Sequence, residues 1–236
     1  MKVGDAIESQ RGAWSFSGNV ADTFVSHAER SIPLYHEGHA LICRISDFFV
    51  LPNSLCYELG SSTGQLTRRL AEHNAHKSNV RWIGMDREEA MAQHAREHCK
   101  DLPNVEFVCD DLGTAKLEKS NLIVSYYTLQ FVPPRYRQDV FNKIYEALEW
   151  GGALLLFEKV RAPDARFQDI TSALYNDFKT DSKFAAEEIL NKSVSLRGVM
   201  EPFSTQGNYD LMARAGFKDM MTVFKYICFE GFLAIK

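Results

Sequence analysis

Several features that would place the chain in a specialised class of protein are absent from its sequence. No window comes near the roughly 18 consecutive apolar residues of a membrane-spanning helix, so no membrane partner is expected. The first residues lack the apolar stretch of a secretion signal. The five cysteines are odd in number and irregularly spaced, which argues against a disulfide framework and favours a reducing, cytoplasmic location. The net charge of −4 gives no general basic surface, so nucleic acid is not an expected partner.

Metal-binding spacings are also absent. His94 and His98 lie four residues apart beside Cys99, and His36 and His39 lie three apart, but no acidic zinc motif accompanies either pair. We therefore expect both pairs to lie on solvated helix faces, and we expect no metal site.

What the chain does have is the composition of an ordinary globular protein. Its 236 residues are 45% apolar and 25% charged, which is enough for one sizeable core. Neither an internal repeat nor a linker divides the sequence. We expect a single domain over residues 1–236, because this length suits an α/β domain.

The most informative stretch is residues 57–64, which read YELGSSTG. It follows an apolar run and precedes an amphipathic one, so an acid, a glycine turn and a helix start lie at the end of an expected strand. Gly60 and Gly64 let the backbone turn tightly and let a ligand lie against it, and the next helix offers unpaired N–H groups at its start. Ser62 stands where the dinucleotide fingerprint has its second glycine, so the pattern indicates nucleotide-type binding without that fingerprint.

Strand and helix patterns alternate after this turn. Expected strands cover 80–85, 105–109, 121–126 and 153–158, with helices at 88–99 and from Pro133-Pro134 to Gly151-Gly152. The apolar run at 121–126 indicates burial on both faces, as in a parallel sheet. The alternation predicts an α/β fold with a doubly wound, mostly parallel sheet.

Both ends of the chain depart from this alternation. Residues 1–50 are expected to form a helical N-terminal cap, and 161–203, helical from 167 to 196, a lid insertion. Either segment could cover the carboxyl ends of the strands, where ligands bind in such sheets.

The chain is expected to close with a helix and a hairpin. The helix covers 208–215, and the strand candidates are 222–229 and 232–235. A tight turn at Glu230-Gly231 would make these strands an antiparallel pair.

Two acids follow the glycine turn at strand ends. Asp86 lies 26 residues after Gly60, where an acid can accept hydrogen bonds from both hydroxyls of a ribose. Asp111 ends the next strand beside Leu112, where an acid and an apolar side chain could bind the amino group and the ring of an adenine. In series with the glycine turn, these acids predict a nucleoside site.

Taken in order, these features resemble the class I S-adenosylmethionine-dependent methyltransferase superfamily, which has a Rossmann-like sheet with an antiparallel C-terminal strand. The similar segments are 58–64, Asp86, 110–112, 125–131, 151–156 and 215–217, followed by an aromatic hairpin. The resemblance implies an enzyme that uses S-adenosylmethionine as substrate or methyl donor.

The flanking segments resemble the carboxy-S-adenosylmethionine synthases, enzymes of tRNA wobble-uridine modification, over nearly the whole chain. These segments are 14–16, 30–35, 128–131, 176–179 and 191–200. The resemblance implies a homodimer. The cofactor contacts expected from it and from the glycine turn are Tyr35, Glu58, Gly60, Ser61, Ser62, Gly64, Asp86, Arg87, Asp111, Leu112 and Tyr126.

The sequence departs from that family at two positions. Ser193 stands where the family reads the added carboxylate with an arginine, and a serine cannot form the two parallel hydrogen bonds of an arginine fork. Arg197, one helical turn on, could take over that role. Tyr126 replaces the family's asparagine, and with Tyr127 and Tyr175 it makes the expected site unusually aromatic. Aromatic faces suit a sulfonium cation, although tyrosines at such positions are also common in cores.

The residues leave several reactions open, because a sulfonium activates three carbons alike. A small-molecule acceptor could take the methyl group, or the methyl group could be carboxylated. Alternatively, the α-amine of S-adenosylmethionine could displace methylthioadenosine and close a four-membered ring, as azetidine-2-carboxylate synthases of bacterial secondary metabolism are thought to do. A chain that binds the compound only as a regulatory or scaffold subunit is the non-enzymatic alternative.

We favour cyclisation. The missing arginine argues against carboxylation, and Glu158 and Asp177 are only ordinary candidates for the base that a methyl acceptor needs. The residues expected at the reacting centre are Tyr126, Tyr127, Tyr175 and Asn176.

Overall fold

A seven-stranded sheet forms the centre of the molecule, which this computed structural model describes for residues 2–3, 7–8, 11–12, 14 and 20–236. Its strands are β3 (Leu55–Leu59), β4 (Arg81–Asp86), β5 (Val105–Cys109), β6 (Ser120–Tyr126), β7 (Leu148–Lys159), β8 (Asp219–Tyr226) and β9 (Phe229–Ile235). They lie in the order β5-β4-β3-β6-β7-β9-β8. Only β9 runs antiparallel to its neighbours, so the predicted α/β fold, mostly parallel with an antiparallel C-terminal strand, is confirmed.

Helices cover both faces of the sheet and its carboxyl edge. The helices are α1 (Val20–Ser31), α2 (Tyr35–Ser46), α3 (Gln65–His73), α4 (Glu89–His98), α5 (Pro134–Ala147), α6 (Ala165–Asp181), α7 (Ala186–Ser195) and α8 (Thr205–Ala215). Before them, β1 (Lys2–Val3) and β2 (Ile7–Glu8) form a separate antiparallel pair. In the part of the chain that the structure describes, no helix is both long and apolar enough to cross a membrane.

Alternate side chains of the central strands enter two separate cores. On β6, Ile123 packs into the core beneath α5 and α8, whereas Leu122 and Val124 pack into the core beneath α2 and α3. Residues on both faces of β6 are almost completely buried. This two-sided burial explains the continuous apolar run, because both faces of a parallel strand are covered by helices.

The central strand β3 creates the crevice of the fold. It pairs with β4 on one side and with β6 on the other, so the chain winds in opposite directions from it. Loops that leave the carboxyl ends of such neighbouring strands diverge and leave a cleft between them. The glycine turn follows β3 and therefore opens into this cleft.

The hairpin turn was predicted at the wrong place. Glu230 and Gly231 lie inside β9, and the turn falls at Ile227 and Cys228, where Ile227 adopts a left-handed conformation with φ of 51°. A Cβ atom on Gly231 would lie 2.6 Å from the ring of Phe157. This glycine therefore permits close packing of the β7 side chain and does not serve as a turn residue.

Other predicted boundaries also need correction. Gly151 and Gly152 lie within β7, because α5 already ends at Ala147. The helix predicted over 167–196 is interrupted at 182–185 between α6 and α7. The N-terminal cap is helical only from Val20 onward among the described residues, and most of the 14–16 segment lies outside them.

We predict that Phe141→Ala will destabilise the protein by about 3–5 kcal/mol, because the side chain of this α5 residue is 1% exposed and its removal leaves a cavity. Trp150→Ala is the matched control, since that side chain is 85% exposed and should change stability by less than about 0.5 kcal/mol. Urea denaturation of both variants measures the difference. Equal midpoints would contradict the placement of α5 on the core.

Candidate functional site

A cavity of about 1690 Å³ opens above the carboxyl ends of β3, β4 and β6. The glycine turn and the strand-end acids form its floor, α1 and α2 one wall, and α6 and α7 the other. The volume is ample for a nucleoside with an attached side chain. The N-terminal cap and the lid insertion, the two segments predicted to cover the strand ends, both contribute residues to this cavity.

The turn after β3 is built from left-handed residues. Gly60 and Gly64 have φ of 77° and 79°, and Ser62 between them has φ of 48°. A Cβ atom on Gly60 would overlap the side chain of Thr128, about 2.1 Å away, so only glycine fits. Gly64 does not line the cavity as predicted; it caps α3 and packs against Phe107.

Asp86 is held rigidly at the end of β4. Its carboxylate accepts hydrogen bonds from the backbone N–H of Ser62 at 2.8 Å and of Glu88 at 2.9 Å. A carboxylate has about four acceptor positions, so two remain for a ligand. Burial raises the pKa of Asp86 above its usual value, while the two N–H donors oppose that shift. The geometry suits a pair of ribose hydroxyls, and Arg87 lines the cavity beside it.

Asp111 lies on the same rim, at the loop after β5. Its Oδ1 accepts the backbone N–H of Gly113 at 2.7 Å, and the neighbouring Leu112 turns partly into the core. Lys143 donates to the Leu112 carbonyl oxygen at 2.9 Å and fixes the loop. Asp111 and Leu112 both line the cavity, as the nucleoside hypothesis requires.

Glu58 is buried at the cavity floor. It accepts a hydrogen bond from the hydroxyl of Thr67 on α3, and burial raises the pKa of its carboxyl to about 8. The carboxyl group therefore keeps its proton at neutral pH and can donate a hydrogen bond as well as accept one.

Two of the predicted catalytic tyrosines fasten the walls of the cavity. The hydroxyl of Tyr126 donates to the carbonyl oxygen of Tyr35 at 2.8 Å, and the hydroxyl of Tyr175 donates to the carbonyl oxygen of Ser31 at 2.9 Å. Both acceptors belong to the N-terminal cap. The hydroxyl protons of Tyr126 and Tyr175 are therefore already used in hydrogen bonds, so these residues present their rings to a ligand in the cavity. The other two residues expected at the reacting centre also line the cavity. They are Tyr127, which has φ of 59°, and the exposed Asn176.

His39 is a cavity residue that the sequence analysis missed. It was expected on a solvated helix face, but it is 1% exposed and lies between the rings of Tyr35 and Tyr126, with centroid distances of 4.4 and 4.7 Å. Burial lowers its pKa to about 3, so the imidazole is neutral, and neither ring nitrogen has a hydrogen-bond partner among the residues that the structure describes. The signal was available, because His39 shares the apolar face of α2 with Tyr35 and Ile42.

The two candidate bases for an external acceptor lie outside the cavity lining. Asp177 is on the exposed side of α6. Glu158 is buried in the sheet, where burial raises the pKa of its carboxyl to about 8 and the nearby Arg137 only partly offsets this. Ser193 and Arg197, by contrast, both line the cavity.

The raised pKa of Glu158 predicts a pH-dependent stability. The folded state holds a proton that the unfolded state releases above about pH 4.5, so the contribution of Glu158 to the free energy of unfolding should fall as pH rises from about 5 to 8. Glu158→Gln should remove this contribution and leave that of Glu58, which has the same sign, and that of His39, which has the opposite sign below about pH 6.5. Urea titrations at several pH values test this, with the exposed Glu149→Gln as control. Parallel curves for Glu158→Gln and the parent protein would exclude a protonated Glu158.

Comparison with known proteins agrees with this geometry. The family described as Methyltransferase domain matches residues 57–152, from β3 into β7. A carboxy-S-adenosyl-L-methionine synthase of Staphylococcus epidermidis is 36% identical over 224 residues, which cover 94% of this chain and 97% of that protein. One from Histophilus somni is 33% identical over 229 residues, covering 95% and 94%.

Solved structures show the same fold at low sequence identity. The S-adenosylmethionine-dependent methyltransferase SibL aligns with a TM-score of 0.63 at 15% identity, over 85% of this chain and 55% of that one. Human N-acetylserotonin methyltransferase in complex with SAM aligns with a TM-score of 0.60 at 16% identity, over 97% and 63%. The full-length similarity to the curated relatives is the stronger result: this chain belongs to the carboxy-S-adenosyl-L-methionine synthase family, within the class I methyltransferase superfamily, and is an S-adenosylmethionine-dependent enzyme.

Proposed function

We propose that this enzyme cyclises S-adenosylmethionine to azetidine-2-carboxylate and releases methylthioadenosine. The observation that carries the proposal is the composition of the cavity wall. Neither Glu158 nor Asp177, the two candidate bases for an external methyl acceptor, lines the cavity, whereas the rings of Tyr126, Tyr127 and Tyr175 do. The wall thus suits a substrate that supplies its own nucleophile.

The described residues fit the nucleoside part of this substrate. Asp86 retains two acceptor positions for the ribose hydroxyls, and Asp111 with Leu112 lies on the same rim for the adenine. The neutral His39 and the protonated Glu58 place no net charge of their own beside the sulfonium. The rings of Tyr126 and Tyr127 are then the principal aromatic partners of that cation, and such a contact contributes about 2 kcal/mol when desolvated.

The proposed reaction needs no co-reactant. The α-ammonium group first loses a proton to water. The neutral amine then forms a bond to the γ-carbon, the bond from that carbon to sulfur breaks with its electron pair remaining on sulfur, and the ring nitrogen keeps its two hydrogens and the positive charge. The contribution of the protein is to hold nitrogen and carbon in line at about 3–3.5 Å.

Carboxylation of the methyl group is the second candidate. It is favoured by the similarity to carboxy-S-adenosyl-L-methionine synthases over nearly the whole of both chains. Arg197 also lines the cavity, in the turn that follows α7 and four residues after Ser193, the position where the resemblance implies an arginine. This reaction requires a carboxyl donor, and methyl transfer to a small molecule requires an acceptor, so the three reactions differ in what must be added.

We predict that purified protein and S-adenosylmethionine alone will yield methylthioadenosine and azetidine-2-carboxylate in equal amounts, because the nucleophile and leaving group belong to one molecule. Liquid chromatography with mass spectrometry of the quenched reaction measures both. Products that appear only with an added carboxyl donor, or S-adenosylhomocysteine that appears only with an acceptor, would support the other reactions. No turnover under any of these conditions would favour a regulatory subunit.

We further predict that Asp86→Asn weakens binding of S-adenosylhomocysteine about 10-fold or more, since one hydrogen bond to a charged group contributes about 1.5–3 kcal/mol. This ligand lacks the sulfonium and is not consumed during calorimetry. Asp219→Asn, at the exposed start of β8, is the control and should bind normally. Unchanged binding by Asp86→Asn would show that the nucleoside does not bind at this edge of the sheet.

The homodimer and the cytoplasmic location stay predictions. The dimer follows from the family resemblance, and sedimentation velocity of the purified chain measures it directly.

A further inference from the structure

Two lysines converge on one side of the cavity, where no function has been assigned to them. Lys159 is the last residue of β7, and Lys179 lies on α6 one helical turn after Tyr175. Their Nζ atoms lie 4.3 and 4.5 Å from the centre of the Tyr175 ring. Both lysines and the ring line the cavity, as does Arg161, two residues beyond β7.

This cationic cluster has no acidic counterpart. Among the described residues, neither lysine Nζ forms an ion pair or a hydrogen bond with a carboxylate, and both side chains are partly buried. Burial, followed by repulsion from Lys159, lowers the pKa of Lys179 to about 8, and burial and Arg161 lower the pKa of Lys159. The thiol of Cys228 opposes both shifts.

Two partly buried like charges that share one aromatic ring and have no carboxylate partner are unfavourable without a ligand. Each cation loses hydration, and the two repel each other across a medium less polar than water. An anion between them would reverse both effects, because it would accept charge-assisted hydrogen bonds from both ammonium groups. The cluster therefore has the properties of a prearranged anion site inside the substrate cavity.

We propose that Lys159 and Lys179 bind the α-carboxylate of S-adenosylmethionine and so fix the amino-acid end of the substrate beside Tyr175. This inference rests on the proposed function only in requiring that S-adenosylmethionine occupies the cavity. The carboxylate is the anionic group of that substrate, which explains why the cations lie along its cavity and not on the outer surface.

The other cations along the cavity are less suited to this role. Lys192 already contacts His27 and donates to the hydroxyl of Ser31 at 3.1 Å, so it links α7 to α1. Arg87 is exposed on the far rim, 3.4 Å from Glu88. Among the described cations of the cavity, Lys159 and Lys179 are the two that combine partial burial with contact to the same aromatic ring and the absence of an acidic partner.

Fixing the carboxylate has a consequence for the ring closure. The α-amine is attached to the same carbon as the carboxylate, so the lysines would hold it near the cluster. Nearby positive charge disfavours the ammonium form of that amine and favours the neutral nucleophile. The lysines would thus act as positioning residues that also assist loss of the proton.

The test compares two ligands that cannot react, S-adenosylhomocysteine and its decarboxylated form, by calorimetry on the full chain. The parent protein should bind S-adenosylhomocysteine more tightly than the decarboxylated form. Lys159→Met and Lys179→Met should each weaken S-adenosylhomocysteine binding about 10- to 100-fold and leave binding of the decarboxylated ligand unchanged or improved. Lys179→Arg, which keeps the charge, should recover part of the loss.

The control is Lys218→Met, an exposed lysine outside the cavity lining, which should bind both ligands as the parent does. Equal weakening of both ligands would mean that the lysines only shape the cavity, and no weakening would mean that they have no part in binding; either result overturns the inference. A product other than azetidine-2-carboxylate would overturn the proposed function. It would not overturn the role of the two lysines if their variants still lose binding of S-adenosylhomocysteine selectively.

Discussion

Parallel pairing of β3 with both β4 and β6 is the constraint on which the site depends. It brings three carboxyl ends to one edge and forces the following loops apart. The glycine turn, Asp86 and the residues after β6 then face one space although they are far apart in sequence. The backbone bonds that Asp86 accepts from Ser62 and Glu88 tie two of these loops together. The sheet brings these donors and acceptors within hydrogen-bonding distance, and the resulting bonds make the floor of the cavity rigid.

The walls depend on a different kind of interaction. Tyr126 reaches from the sheet to the carbonyl oxygen of Tyr35, and Tyr175 reaches from α6 to the carbonyl oxygen of Ser31. Two side-chain hydroxyls thus connect the sheet and the lid insertion to the N-terminal cap. Gly38 permits the first contact, because a Cβ atom there would lie 2.3 Å from the Tyr126 hydroxyl. The aromatic character noted in the sequence therefore has a structural role in addition to any role towards a sulfonium.

The charges of the cavity are unevenly distributed. Asp86 lies at the end of β4 and Asp111 in the loop after β5, whereas Lys159 and Lys179 lie beside the ring of Tyr175. Burial keeps Glu58 and His39 neutral. S-adenosylmethionine carries hydroxyls and an amino group at one end and a carboxylate at the other, so this distribution matches its polarity. The similarity to carboxy-S-adenosyl-L-methionine synthases favours carboxylation, whereas cyclisation is our proposal from the composition of the cavity wall. Ser193, at the position where the resemblance implies an arginine, is the departure from that family on which the proposal also depends.

The sequence by itself determined the sheet, the glycine turn and the strand-end acids, because these depend on local periodicity and on residue types with strong backbone preferences. It misplaced the closing turn, since Gly231 is required by contact with Phe157 and not by its own backbone. It also misjudged His39 and gave no indication of Lys159 and Lys179. Only the tertiary structure decided these, because burial and charge repulsion depend on what packs against a side chain from elements distant in the sequence.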